Sequence, residues 1–110
     1  MGRSDEQGEP MRPRTYYVYI LANAWNTVFY IGMTNDLARR MQEHKERLAD
    51  GFTDRYNVVK LVYVETHTDV HEAIVREKRL KRWRRAWKEA LIREGNPDFA
   101  DLWTEDSQPL

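Results

Sequence analysis

Residues 17–44, YVYILANAWNTVFYIGMTNDLARRMQEH, decide the fold. Over residues 15–21, Tyr17, Tyr19 and Leu21 alternate with Tyr16, Val18 and Ile20, the pattern of a strand with both faces largely covered. Residues 22–27, carrying Asn23 and Asn26, read as a loop. Residues 28–31 then return as a second strand, so an antiparallel hairpin is the economical reading. That pairing sets Tyr19 and Tyr30 on neighbouring strands. Gly32 is expected to close the second strand, where a side chain would crowd a ligand or a neighbouring backbone. Thr34, Asn35 and Asp36 offer N-cap oxygens to a helix of about three to four turns. On that helix Leu37, Met41 and Leu48 form one apolar stripe, with His44 inside it and Arg40 on its edge.

Downstream, residues 50–57 read as a surface loop opened by Gly51, and residues 58–65 as a third strand whose apolar density suits a central position. Asp69 and Glu72 form a capping-box pattern at the start of a second helix. Val70, Ala73, Ile74 and Leu80 lie near one face of it, and Glu77 falls on that face. Basic residues then crowd together, with Arg76, Lys78, Arg79, Lys81, Arg82, Arg84, Arg85 and Lys88 interleaved by Trp83 and Trp87. A bend near Trp83 lets a third helix, residues 84–94, pack back on the sheet before Gly95-Asn96-Pro97 stops it. The expected fold class is therefore α/β (α+β): a small three-stranded, mainly antiparallel sheet, residues 15–21, 28–31 and 58–65, flanked by three helices. Residues 1–14 are expected to form a disordered tail, residues 15–95 the domain and residues 96–110 an acidic tail, in which Phe99, Leu102 and Trp103 are apolar enough to dock as an extra turn.

A chain of 110 residues is one domain with room for one active site or one binding face. It contains no cysteine, which excludes disulfides and thiolate zinc sites; any metal must be held by oxygen or imidazole. No apolar run approaches membrane-span length and residues 1–14 lack a signal-peptide core, so a cytoplasmic protein with no membrane partner is expected. The formal net charge of zero hides an asymmetry. Between Arg12 and Gly95 there are 17 Lys and Arg against 11 Asp and Glu, whereas the ends are acidic. A basic middle suits a polyanion partner, and the acidic ends either compete weakly for that surface or aid solubility.

Two helices each carry an ionisable group where an apolar side chain is expected, His44 in one and Glu77 in the other. Burying such groups is costly unless each meets a partner, a metal or a substrate. If both helices pack on the same region of the sheet, these residues converge near Tyr19 and Tyr30, with Arg40 one turn from His44. A carboxylate for a hard divalent cation, an arginine for a phosphate and phenols or imidazole to move a proton make a phosphate-cleaving inventory.

Tyr17-Val18-Tyr19 followed by Tyr30-Ile31-Gly32 resembles the paired motif that names the GIY-YIG nuclease superfamily, and the short standalone bacterial members are nearest in pattern. The resemblance covers roughly residues 15–94 and includes Arg40, His44 and Glu77 in order. It implies a metal-dependent endonuclease acting on DNA phosphodiesters, with a role in DNA repair or processing. Tyr19 and Tyr30 would line the site, one of them as general base, Arg40 would neutralise the phosphate and His44 would assist proton transfer or position the water. Glu77 would hold one Mg2+ or Mn2+, and the products would carry 5′ phosphate and 3′ hydroxyl ends. A free tyrosine has a pKa of about 10, so a phenolate base at neutral pH needs the cation and Arg40 beside it. Tyr17 stands where the motif has glycine, Met33 where repair-type members carry lysine, and Trp87-Lys88 lie near where some relatives place an asparagine.

Blander readings of the same residues stay open. Tyr19 and Tyr30 suit ordinary strand packing, His44 a core or helix-surface position, and Glu77 an ion pair with Arg40 or a nearby lysine. The basic run reads equally as a solvated helix face and as a nonspecific phosphate-binding face, with Arg39, Arg79, Arg82, Arg85 and Lys88 as its candidate contacts and a tryptophan to stack on a base. The alternative functions are a nucleic-acid binding module that lacks turnover and a purely structural domain. Nucleic acid, DNA foremost, is the expected partner; protein partners are unknown, and the binding-module alternative would recruit another protein through its tails.

Overall fold

In the computed structural model, which describes residues 14–49 and 60–103 apart from the side chains of residues 47–49, β1 (Tyr16–Ala22) is the middle strand of a three-stranded sheet. It pairs antiparallel with β2 (Phe29–Thr34) on one side and with β3 (Lys60–His67) on the other. The expected α+β sheet is thus present and wholly antiparallel. The tail expected up to Pro13, the loop at residues 50–57, Val58 and Val59 of the third expected strand and the acidic residues 104–110 lie outside the described residues.

The alternation along β1 sorts the core into two layers. Val18, Ile20 and Ala22 point to a cluster with Ile31, Val62, Ala73, Leu80, Ile92 and Phe99. Tyr19 and Leu21 point the other way, to Met41 and Leu61. Against the second face packs α1 (Leu37–Ala49), through Met41 and Leu37. Against the first pack α2 (Val70–Arg82) and α3 (Arg85–Gly95), through Ala73, Leu80 and Ile92. Leu80 and Ile92 are completely buried, and each side chain so buried contributes about 1.5–3 kcal/mol. A bulge in β3 shifts the register between Ile20 and Leu21, so that Val62 and Tyr63 both lean on the α2–α3 layer.

Three local expectations are corrected. The third strand, expected to be central for its apolar density, is β3 at an edge of the described sheet, with β1 in the middle. Gly32 does not close the second strand; it pairs with Tyr19 in the interior of β2, which runs on to Thr34. Asp69 caps α2, but its Oδ1 accepts from the His71 N–H at 2.8 Å, one position short of the capping-box partner. At the expected bend, Trp83 and Arg84 are both extended, with ψ of 148° and 153°, and the chain re-enters a helix at Arg85.

Beyond α3 the chain stays on the domain. Asn96, buried at the helix end, donates to the Val62 and Ala100 carbonyls at 3.0 and 2.9 Å and accepts from the Ala100 N–H at 3.0 Å. Phe99 is buried in the α2–α3 layer, and Asp101 Oδ1 accepts from the Leu61 N–H at 3.1 Å. Packing and pairing of this kind hold residues 96–103 against β3, although their acidic character alone suggested a tail.

Candidate active site

Tyr19 and Gly32 face each other across β1 and β2, and the geometry of that pair shapes the site. A Cβ added to Gly32 would sit 2.5 Å from the Tyr19 hydroxyl and 2.6 Å from its Cζ. The phenol therefore lies over the bare backbone of Gly32, directed from the central strand toward the outer edge of β2. A side chain at position 32 would evict it. Tyr30, two residues earlier on the same face of β2, places its ring 6.4 Å from that of Tyr19, tilted by 43°.

From the layer above, α1 adds two groups one turn apart. Arg40 Nε donates to the Tyr19 hydroxyl at 3.3 Å, and another guanidinium nitrogen pairs with Glu43 at 3.4 Å. The imidazole of His44 meets the Tyr30 ring edge-on, with centroids 6.1 Å apart. Tyr19, Tyr30, Arg40 and His44 are thus brought together, as the ordered motif implies. The spacing explains it: residues 40 and 44 share a helix face, and residues 19 and 30 share a sheet face.

The two phenols differ in exposure. Tyr19 is completely buried, whereas Tyr30 is 42% exposed. Burial pushes the Tyr19 pKa above the ordinary phenol value; the Arg40 hydrogen bond and charge pull it back, while Tyr30 and Glu77 add to the rise. The same Tyr19 hydrogen bond holds the Arg40 guanidinium firmly charged, with Tyr30 acting in the same direction. Beside Arg40 lies a hollow of about 210 Å³, lined by Thr34, Asn35, Asp36, Arg39, Arg40 and Glu43.

Glu77 is placed differently from the expectation. The two helices do not pack on one face, because α1 and α2 lie on opposite sides of the sheet. Across the sheet, the Glu77 charge still adds weakly to the rise in the Tyr19 pKa. Glu77 is largely covered, at 20% side-chain exposure, and pairs with Lys81 at 3.1 Å. The nearby-lysine reading of Glu77 is therefore realised, one turn along α2. Among the described residues no group of three or more His, Asp or Glu side chains converges. A single hard carboxylate beside phenol and guanidinium fits a hydrated Mg2+ or Mn2+, which commonly keeps several waters and takes one or two carboxylates plus substrate phosphate.

The candidate nucleic-acid contacts are dispersed. Arg39 is exposed and paired with Glu43 at 3.2 Å. Arg79 lines a groove with His67, His71 and Val75 on the far layer, and Arg82 is exposed. Arg85 is engaged within the protein, donating to the Thr27 carbonyl at 3.0 Å and to the Asn26 carbonyl, and pairing with Glu89 at 2.9 Å. Lys88 is half-buried; desolvation and then the Arg85 charge hold its pKa below the ordinary lysine value. Sequence reasoning missed Glu43, the partner of Arg40, although its helical spacing of three residues is the signal that finds it. It also missed Glu65, which accepts from the Tyr63 hydroxyl at 2.5 Å and from Arg76 Nε at 2.9 Å, and contacts His67 Nε2 at 2.6 Å.

Comparison with known proteins adds an independent line. The GIY-YIG catalytic domain model matches residues 15–90. A UPF0213 protein of Bacillus pumilus is 33% identical over 84 residues, covering 76% of this chain and 85% of the relative. One from Limosilactobacillus reuteri is 31% identical over 94 residues, covering 84% and 97%. One from the archaeon Halobacterium salinarum is 36% identical over 77 residues, covering 70% and 99%. The solution NMR structure of a UPF0213 protein from Bacillus halodurans has the same fold, with a TM-score of 0.52 at 24% identity and coverage of 86% of this chain and 99% of that one.

Proposed function

The chain belongs to the GIY-YIG catalytic domain family, a nuclease family, and on that premise we propose that it is a cytoplasmic endonuclease that hydrolyses DNA phosphodiesters with one divalent cation. The observation that carries this reading is the junction at the β2 edge. There an arginine bonded to a buried phenol lies beside an exposed second phenol, supplied by β1, β2 and α1, and Glu77 on α2 acts on the buried phenol through its charge.

In this reading the difference in exposure divides the work of the tyrosines. Tyr30, as its phenolate, takes a proton from the attacking water and becomes the neutral phenol, because it is the phenol that solvent and substrate reach. Buried Tyr19 orients Arg40, whose remaining N–H groups bind the scissile phosphate entering the hollow beside it. His44, against the edge of Tyr30, fixes that ring and assists the proton's departure. The water oxygen bonds to phosphorus as the bond to the 3′ oxygen breaks, and the leaving oxygen gains a proton, giving 5′ phosphate and 3′ hydroxyl ends. Glu77 is the residue that would hold Mg2+ or Mn2+ once Lys81 swings away. The cation would supply charge stabilisation for the leaving oxygen. DNA repair or processing is the setting we assign to such an activity.

A plasmid-nicking assay tests the reading. The parent protein is expected to nick supercoiled DNA in Mg2+ and to stop when the ion is chelated. Glu77→Ala is expected to be folded and inert; cutting at the parent rate by this variant rules out the metal role.

A further inference from the structure

The connection between β1 and β2 is built to stay rigid, yet it carries a tryptophan that the fold leaves outside. Asn23, buried at the base of this loop, accepts from the Thr27 and Val28 N–H groups at 2.8 and 3.1 Å and donates to Thr27 Oγ1 at 2.7 Å. Arg85, the first residue of α3, ties the loop down by donating to the Asn26 and Thr27 carbonyls while its guanidinium covers the Phe29 ring at 4.4 Å. Loop and helix start therefore form one unit. On it stand Trp25, 79% exposed, and Trp87, 53% exposed. Trp87 is braced edge-on by Trp83, at 6.0 Å, and flanked by Arg84 at 5.5 Å.

The charges on this unit are as unbalanced as its aromatics are uncovered. Among the described residues no carboxylate pairs with Arg84 or Lys88, and Lys88 is pressed against the cationic Arg85. Two cations without a paired carboxylate, Arg84 and Lys88, beside large flat apolar rings held in the open, are complementary to a chain of phosphates and bases. An indole can stack only on a base that is not already stacked in a duplex, which selects a single strand.

We infer that Trp25 and Trp87, with Arg84 and Lys88, form a platform for an unpaired DNA strand, so that the substrate carries a single-stranded stretch next to the bond that is cut. This rests on the reading of the β2 edge as a hydrolytic centre. Thr27 at the end of the loop precedes Tyr30 by three residues, about 10 Å of strand, on a strand with no neighbour on its outer side. A strand leaving the platform would pass round the open β2 edge to reach Tyr30, which faces the layer opposite α3.

The test is equilibrium binding in chelator, where no cutting occurs, using a labelled oligo-dT of about 12 nucleotides and a blunt duplex of about 20 base pairs. A strand of about 12 nucleotides falls within the site sizes typical of single-strand binders, about 4–16 nucleotides. The parent is expected to bind oligo-dT at least ten-fold more tightly than duplex. Trp25→Ala and Trp87→Ala, checked for native circular dichroism, are each expected to weaken oligo-dT binding by about 5- to 100-fold, the range of one lost base stack, with duplex binding nearly unchanged. Lys88→Gln is expected to lower the salt dependence of oligo-dT binding by about one phosphate contact. Equal affinity for duplex and oligo-dT, or parent-like binding by both tryptophan variants, overturns the platform. Selective binding without any Glu77-dependent cleavage upholds the platform and removes the nuclease reading instead.

Discussion

Two clusters drawn from the same four residue types, Tyr, His, Arg and Glu, lie on opposite faces of the sheet. On the α2–α3 side, Glu65 takes hydrogen bonds from Tyr63 and Arg76, contacts His67, and so spends its acceptor capacity inside the protein. On the α1 side, Tyr19 and Arg40 bond to each other and Tyr30 is open to solvent, while Glu77, on α2 across the sheet, is paired with a lysine rather than with the arginine. The closed set ties α2 to β3 and has little left to offer a ligand. The open set keeps groups available at an edge. Composition therefore does not distinguish a functional site from a brace; the direction in which the hydrogen bonds run does.

Separating the two by mutation should give opposite phenotypes. Arg40→Ala is expected to lower cleavage by about 10²–10³-fold with the unfolding midpoint nearly unchanged, since it removes a donor aimed at developing charge. Glu65→Ala is expected to cost roughly 2–4 kcal/mol in denaturant unfolding, because it leaves Arg76 and Tyr63 half-buried without their acceptor. A stable, inactive Glu65→Ala, or an unfolded Arg40→Ala, would reverse the assignment of the two clusters.

The comparison also separates what was legible in the sequence from what was not. The alternation at residues 16–22 announced a strand with two covered faces, and the spacing from Tyr30 to Arg40 to His44 announced their meeting. Alternation does not say which helix takes which face, so the placement of α2 opposite α1 was hidden, and with it the separation of Glu77 from His44. Glu65 read only as the end of a strand, because its partners Tyr63 and His67 are two residues to either side and Arg76 is on the next helix. Gly32 read as a terminator because the sequence cannot reveal that an aromatic ring from the neighbouring strand lies over it.

Gly32→Ala sharpens that last point. The added Cβ, 2.5 Å from the Tyr19 hydroxyl, forces the ring aside. Stability is expected to fall by about 1–3 kcal/mol, and cleavage by roughly 10- to 100-fold as Arg40 loses its anchor. Normal cleavage by this variant would mean that Tyr19 does not orient Arg40.

A smaller effect distinguishes the clusters by pH. Hydrogen bonds from Tyr63, Arg76 and His67, together with the Arg76 charge, outweigh the opposing effect of burial and hold the Glu65 pKa below the ordinary glutamate value. A depressed carboxylate contributes stability above its unfolded pKa and loses it as pH falls through the folded one. Acid unfolding is therefore expected to steepen below the ordinary glutamate range, and Glu65→Gln to flatten that part of the profile. At the alkaline end Tyr63, pushed up to about 12, contributes stability that is lost as pH rises from about 10 toward 12. A profile identical in parent and Glu65→Gln contradicts the brace.

The most direct test is a Mn2+ titration followed by NMR line broadening of assigned side chains. The open cluster should respond first, with Glu77, Tyr19 and Tyr30 losing intensity at substoichiometric metal while Glu65, Tyr63 and His67 keep theirs, and Glu77→Gln should abolish the effect. Broadening that begins at Glu65 and His67, or that survives Glu77→Gln unchanged, would contradict the assignment of the β2 edge as the metal-assisted hydrolytic centre.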